Sequence, residues 1–295
     1  MKNIIIFLNG ARGIPVVKAV QESRHAVTAV VVPSKQKCDP IQDEVQKIGL
    51  DCLRLENVNS TEAIAHLQSL LPELFIIAGF STIFKEELIN IPRMGVINLH
   101  AGRLPEYRGG SPLNWQIING ESEAVISVIK IDQGIDTGPV LSEQAIKIEP
   151  SDTIADLHGQ ANKLFPGLVL DAIERIETET NPGRIQDEDN AMYWHQRSDR
   201  DGYLDFSRFT AKQADRFIRA LTRPYPGAWA FLDQKKVRLL AAEIPKMDLR
   251  GSSGRICFIQ GQGPYVVCKD RALLLKEYLI EETPNSSLKH GQYLS

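Results

Sequence analysis

Cysteine is scarce: 295 residues contain four, and Cys38, Cys52, Cys257 and Cys268 form no CxxC pair. That spacing excludes a disulfide framework and supplies no thiolate metal site. His25, His66, His158, His195 and His290 also lack ligand spacing, so no metal is implied. No apolar run approaches the ~18–20 residues that a membrane span needs. Met1–Leu8 carries one lysine and a short apolar run, and Gly10-Ala11-Arg12-Gly13 follows without a cleavage pattern. It reads as a first strand rather than an export signal. No run of five like charges occurs and the formal net charge is −3. A large nucleic-acid footprint is therefore not advertised, although a local patch is compatible with these numbers. There is no repeat and no low-complexity block. These absences leave a cytoplasmic chain with reduced thiols and no membrane partner.

The chain is 43% hydrophobic and 24% charged. That is an ordinary balance for a protein with a sizeable core, and its length favours two domains of ~100–200 residues each. Ile4–Leu8, Val27–Val32, Leu74–Phe80, Gly95–His100 and Val125–Ile131 are apolar runs of strand length. Between them lie helix signals. Pro15 suits a first helical turn, Ile64, Leu67 and Leu71 keep helical spacing, and Ser111-Pro112 opens a short helix that Gly120 closes. Residues 153–177 carry Ile154, Leu157, Ala161, Leu164, Leu168, Ile173 and Ile176, which predicts a long amphipathic helix. Strands alternating with helices argue for a mostly parallel, Rossmann-like α/β sheet.

The pattern changes near the turn Asn181-Pro182-Gly183. Thr210-x-x-Gln213 is a capping-box start for a helix carrying Ala214, Phe217, Ile218 and Leu221. Short strands then follow at Trp229–Leu232, Val237–Ala242, Gly254–Ile259, Tyr265–Lys269 and Ala272–Leu279, which suits a small β-barrel. The polar tail Thr283–Ser295 is expected to be mobile. The expected division is 1–180 as a catalytic domain, 181–209 as a junction, 210–282 as an OB-like barrel and 283–295 as a tail.

One segment concentrates chemistry. Asn98 and His100 are two residues apart on a strand, so their side chains point the same way. They stand at the strand's carboxyl end, where open α/β sheets bind ligands, and the loop Arg103-Leu104-Pro105-Glu106-Tyr107-Arg108-Gly109-Gly110 follows. Asp136 lies in the loop after the next strand, and two adjacent strand ends would bring Asn98, His100 and Asp136 together. On spacing alone an Asp-Thr-Gly is also an ordinary turn.

Asn98-Leu99-His100, Leu104-Pro105 with Tyr107-Arg108-Gly109, and Asp136-Thr137-Gly138, 36 residues after the histidine, together resemble the folate-dependent formyltransferase family. Gly79-Phe80-Ser81-Thr82-Ile83-Phe84 is similar to that family's folate loop. Arg223-Pro224-Tyr225-Pro226-Gly227-Ala228-Trp229 is similar to the entry of the second domain in its longer members. The resemblance covers roughly residues 1–280. It implies 10-formyltetrahydrofolate as co-substrate and formyl transfer to a primary amine. Asn98 would donate to the developing oxyanion, and His100 and Asp136 would handle the amine proton, with the first acceptor left open. Phe80, Ser81, Thr82, Ile83 and Phe84 would hold the pterin on one side, and a loop containing Ile131, Asp132 and Gly134 on the other.

The acceptor amine divides the family. A second domain argues against the short enzymes acting on glycinamide ribonucleotide. A methionyl-tRNA formyltransferase would want clustered Lys and Arg, whereas residues 181–295 are mixed in charge. The remaining branch formylates amino sugars carried on a nucleotide diphosphate for surface-glycan synthesis. Gly10 and Arg12 could meet an anion there, Arg103 and Tyr107 the sugar, and Tyr225 or Trp229 could stack on a base. The favoured reading is a UDP- or dTDP-linked 4-amino-4-deoxy sugar, with tRNA as nucleic-acid partner only in the alternative. A homodimer is compatible with this reading. A non-catalytic folate or nucleotide-sugar binder would not need the Asn98, His100 and Asp136 trio, and a formate-releasing hydrolase would put water at the same carbon.

Overall fold

The computed structural model describes residues 1–34, 39–283 and 286–295, so Cys38 lies outside the described residues. The contacts resolve into two compact units. The first contains Met1–Gly109, Val125–Ile146 and Gly159–Tyr193. The second contains Gly110–Ala124, Lys147–His158 and Trp194–Ser295. No helix among the described residues is long and apolar enough to cross a membrane.

The first unit is built on a seven-stranded sheet. Its strands, in chain order, are β1 (Asn3–Leu8), β2 (Ala26–Pro33), β3 (Cys52–Leu55), β4 (Leu74–Ala78), β5 (Val96–His100), β7 (Glu123–Lys130) and β8 (Val140–Lys147), with a two-residue β6 (Arg108–Gly109) outside the sheet. The spatial order is β3-β2-β1-β4-β5-β7-β8. Strands β1, β2, β3, β4 and β5 are parallel, and β7 runs antiparallel to β5. Residues 4–8 of β1 and all of β4 are buried, as a parallel sheet covered on both faces requires. On one face Phe7 meets the rings of Phe75, Phe80 and Phe84 edge-on, with centroids 5.1, 5.6 and 4.8 Å away. The helices form where the sequence signals them. Pro15 lies in the first turn of Ile14–Gln21, Ser60 caps Thr61–Ser69 by accepting from the Ala63 N–H, and the long helix spans Ile154–Thr178.

Two elements escape the sequence pattern. Periodicity predicts only a polar connection before Thr61, yet Asp39–Lys47 is helical and β3 follows it. Among its described side chains that helix buries Ile41 and Val45, and β3 is an edge strand with no fully buried residue, so neither shows a strong period. Strand β8 is likewise unannounced, because Ser142, Glu143 and Gln144 interrupt its apolar run.

The second unit is antiparallel. After the two-residue β9 (Tyr193–Trp194) come β10 (Ala228–Leu232), β11 (Lys235–Glu243), β12 (Ile256–Ile259), β13 (Gln262–Val267) and β14 (Ala272–Ile280), and the last five form one sheet in the order β10-β11-β14-β13-β12. Register shifts between β11 and β14 bend this sheet toward a small barrel. The Thr210–Gln213 capping box forms as read and starts the helix Ala211–Leu221, whose apolar face covers the sheet. Pro112–Asn119 is helical too, but Ser111 does not cap it. Ser111 sits in left-handed backbone and its hydroxyl instead accepts from Gln196 Nε2 and the Arg197 N–H.

The tail corrects a sequence expectation. Its described residues 286–295 are packed rather than loose, with Leu288 and Leu294 buried. Ser295 exchanges both backbone hydrogen bonds with Phe231 of β10, while Gly291 and Gln292 bond to Ile256 of β12 and Leu294 to Gly254 beside it. A polar sequence hid two leucines at positions that seal the open side of the sheet.

Candidate active site

His100 ends β5 and is only 4% exposed, with Asn98 half-buried two residues before it on the same face. Ser127 pairs with His100 across the strands, and its hydroxyl donates to the Gly102 carbonyl at 3.0 Å, fixing the chain as it leaves the sheet. His100 Nε2 lies 2.6 Å from the Tyr107 carbonyl oxygen. A carbonyl only accepts, so Nε2 carries a proton. Nδ1 then faces Asp136 Oδ2 at 3.4 Å. The same Oδ2 accepts the Gly109 N–H at 2.8 Å. Asn98 and His100 therefore come from one strand of the first unit and Asp136 from one of its loops, and His100 and Asp136 meet directly.

The route to Asp136 differs from the expected one. Because β7 is antiparallel to β5, Lys130 at its end pairs with Ile97, away from the His100 end. The strand ends do not coincide, and the intervening loop carries Asp136 to His100. The Lys130 N–H donates to the Pro139 carbonyl, closing the loop's base. A Cβ on Gly138 would stand 1.8 Å from the Lys130 carbonyl oxygen, so only glycine fits that crossing. Asp132 is exposed, and its Oδ1 accepts from the Gly134 N–H and the Thr137 hydroxyl, which shapes the loop. A Cβ at Gly134 would meet Thr137 Oγ1 at 2.0 Å. Ile131 packs on the core.

The loop after β4 divides its side chains. Phe80 and Phe84 are in the core, which corrects their expected role as pterin walls, since both rings are spent on Phe7. Ser81, Thr82 and Ile83 are exposed, Ile83 by 79%. Asn59 braces the loop, donating to the Ile83 carbonyl and accepting from the Lys85 N–H. Gly10 and exposed Arg12 lie in the turn after β1, where Asn9 Nδ2 donates to Ser81 Oγ at 3.2 Å. Since β1, β4 and β5 are parallel neighbours, these loops share the carboxyl edge of the sheet with His100.

Other expectations change. The Tyr107 ring is 3% exposed, so its contribution is the carbonyl that holds His100, not a contact to substrate. Half-buried Arg103 supplies a carbonyl to the Tyr107 N–H. Tyr225 and Trp229 belong to the second unit and are engaged there. The Tyr225 hydroxyl lies 3.1 Å from His158 Nε2 beside a cavity of about 130 Å³. Trp229 packs between Tyr203 and Phe231, under the Lys236 ammonium, and donates to the Asp199 carbonyl.

The residues that sequence reasoning missed lie behind Asp136. Arg108 is wholly buried. Its guanidinium donates to Gln186 Oε1, to both carboxylate oxygens of Glu188 and to the Tyr193 hydroxyl, at 2.6–3.0 Å. The Glu188 carboxylate raises the Arg108 pKa, and Arg108 holds that of Glu188 below the usual range. The one available signal was the arginine inside the Tyr107-Arg108-Gly109 motif, because Gln186 and Glu188 follow no pattern.

Residues 2–173 match the family model described as formyl transferase, and residues 197–289 match that of the formyl transferase C-terminal domain. The chain is 28% identical over 271 residues to the methionyl-tRNA formyltransferase of Geobacter metallireducens, covering 90% of this chain and 86% of that one. It is 33% identical over 241 residues to that of Caldanaerobacter subterraneus subsp. tengcongensis, covering 78% and 77%. In fold it is similar to an N-formyltransferase from Helicobacter canadensis in complex with folinic acid and dTDP-3-aminofucose, with a TM-score of 0.69, 16% identity, and 93% and 98% of the chains covered. The chain belongs to the formyl transferase family.

Proposed function

We propose that the protein is a cytoplasmic N-formyltransferase that moves the formyl group of 10-formyltetrahydrofolate to the primary amine of a UDP- or dTDP-linked 4-amino-4-deoxy sugar, for glycan biosynthesis. The observation that carries formyl transfer is the meeting of His100 and Asp136 beside Asn98 at the carboxyl edge of the sheet. The donor would lie along that edge, with its pterin against the exposed Ser81–Ile83 stretch and the backbone of the 131–135 loop. Asn98 donates an N–H to the oxygen that becomes negative when the amine adds to the formyl carbon, an interaction worth ~10²–10³ in rate. The amine's proton passes to the Asp136–His100 pair, and a proton returns from that pair to the folate nitrogen as the C–N bond breaks and tetrahydrofolate leaves with its electrons. The Tyr107 carbonyl orients the His100 ring at Nε2, which leaves Nδ1 3.4 Å from Asp136 Oδ2.

Charge supports a nucleotide sugar over a tRNA. The second unit has 18 Lys and Arg against 16 Asp and Glu, a near balance that supplies little field for a polyanion. Arg238 and Lys236 pair with Asp199, Arg223 with Glu277 and Arg219 with Asp215. Formylation of methionyl-tRNA is the second reading, favoured by the relatives at 28–33% identity. A mass-spectrometric turnover assay separates them. The protein is given 10-formyltetrahydrofolate with a panel of UDP- and dTDP-linked 4-amino sugars, and with methionyl-tRNA in parallel. A formylated nucleotide sugar is the expected product. Formylated methionyl-tRNA alone overturns the acceptor assignment, and no formylated product from any amine overturns the transfer reading.

A further inference from the structure

We propose that Gln186 is a positioning residue for formyl transfer, holding the Asp136 carboxylate against His100 from behind. The proposal rests on the reading above, in which Asp136 serves the reaction. Gln186 is only 5% exposed. Its Nε2 donates both hydrogens, one to the Asp136 carbonyl at 2.7 Å and one to the Gly138 carbonyl at 2.7 Å. Its Oε1 accepts from Arg108 Nε at 3.0 Å. The amide has one workable orientation, because turning it over would aim its oxygen at two carbonyl oxygens and its NH₂ at a guanidinium.

Asp136 needs such a clamp. Its φ is +55°, the left-handed region that a residue with a side chain occupies only when its surroundings hold it there. Gln186 fixes the backbone of Asp136 while the Gly109 N–H fixes its carboxylate. Gly109 is covalently next to Arg108, so the contacts close a ring: Arg108 to Gln186, Gln186 to Asp136, Asp136 back to Gly109. The segment that carries Gln186 is fastened to the same loop. Val140 and Arg184 exchange both backbone hydrogen bonds, at 2.8 and 2.9 Å. Gly183, with φ +93°, passes so close that a Cβ would meet the Val140 carbonyl oxygen at 2.8 Å. A fully buried arginine is expensive to keep for stability alone. Here its cost is matched to a purpose, which is to fix the amide that aims the carboxylate.

The test is a kcat-against-KM split with a double-mutant cycle. Gln186→Glu keeps an acceptor for Arg108 and the side-chain length but loses the two N–H donors, and Gln186→Leu loses both functions. Each is assayed with 10-formyltetrahydrofolate and the acceptor that the turnover panel selects, and tetrahydrofolate binding is titrated separately to count competent sites. A displacement of about 1 Å can cost ~10²-fold, so kcat per folate-binding site should fall about 10–100-fold while KM and tetrahydrofolate affinity stay within about 3-fold. In the Asp136→Asn background, under single-turnover conditions, the same substitution should cost less than about 2-fold, because residues acting through one another are not additive. Three results overturn the proposal: kcat within about 3-fold of the parent in both variants, a loss of tetrahydrofolate binding along with turnover, or an undiminished penalty in the Asp136→Asn background. If Asp136→Asn itself turns over like the parent, the underlying reading fails as well. If it falls and the Gln186 variants do not, this proposal fails alone.

Discussion

Two arginines, one in each unit, are withdrawn from water in opposite ways. Arg108 in the first unit is met by a carboxylate, an amide and a phenol, which hold it firmly charged. Arg197 in the second lies between the rings of Trp115 and Phe217, 4.7 and 5.2 Å from their centroids, and donates to the Asp201 carbonyl. Burial pushes its pKa down, and its Nε has no hydrogen-bond partner among the described residues. A guanidinium stacked on rings contributes packing and tolerates a neutral substitute. A guanidinium forked onto directional partners fixes where those partners point. The first unit spends its buried polar groups on geometry, and the second spends them on cohesion.

The sharpest way to break this contrast is at the site itself. His100→Ala is expected to lower turnover ~10²–10⁴-fold, and Asn98→Ala ~10²–10³-fold, with melting temperatures little changed. Steady-state kinetics beside thermal melts check this, and near-parental turnover would remove the site from the first unit. Next comes Arg108→Lys, which keeps the charge but not the fork. Turnover should fall about 10-fold or more, because a lysine cannot serve Gln186 and Glu188 together. Leu294→Ala probes cohesion and should cost about 2–4 kcal/mol in urea unfolding while kcat per folded molecule stays put. Arg197→Met should be milder, within about 1.5 kcal/mol either way, since an apolar chain of similar length refills the slot between the rings. A large loss of turnover in that variant would erase the distinction between the two arginines.

The smallest expected effect is a pH dependence. Arg238, with help from Lys236, holds the Asp199 carboxyl down to about 2. A depressed carboxyl contributes stability above its ordinary pKa and loses it as pH falls through the lowered one. Between about pH 4 and pH 2 the parent should therefore lose more stability than Asp199→Asn. Calorimetry across that window reads the difference, and parallel curves would mean that the ion pair contributes nothing.

How much of this was written in the sequence follows the same line. Where one local rule decides, the reading is direct. The apolar run of β1, the capping box at Thr210 and the shared face of Asn98 and His100 are each set by residues within a few positions. The meeting of His100 with Asp136 was legible, but its route was not, because an antiparallel β7 has the same apolar pattern as a parallel one. Phe80 and Phe84 show why a side chain can be misassigned: the same aromatic signal serves a core and a ligand wall. Gln186 left no trace, since its partners stand 78 and 50 residues away and a lone glutamine has no periodicity.

The strip at residues 291–295 has a consequence outside the unit it closes. Strands β10 and β12 are the two outer strands of the second sheet, and unpaired outer strands are templates on which a second molecule can grow. By bonding to Phe231 on one side and to Ile256 and Gly254 on the other, the strip occupies both templates at once. Loosening it would do more than weaken a barrel: it would bare two strand edges through which one molecule could pair with another.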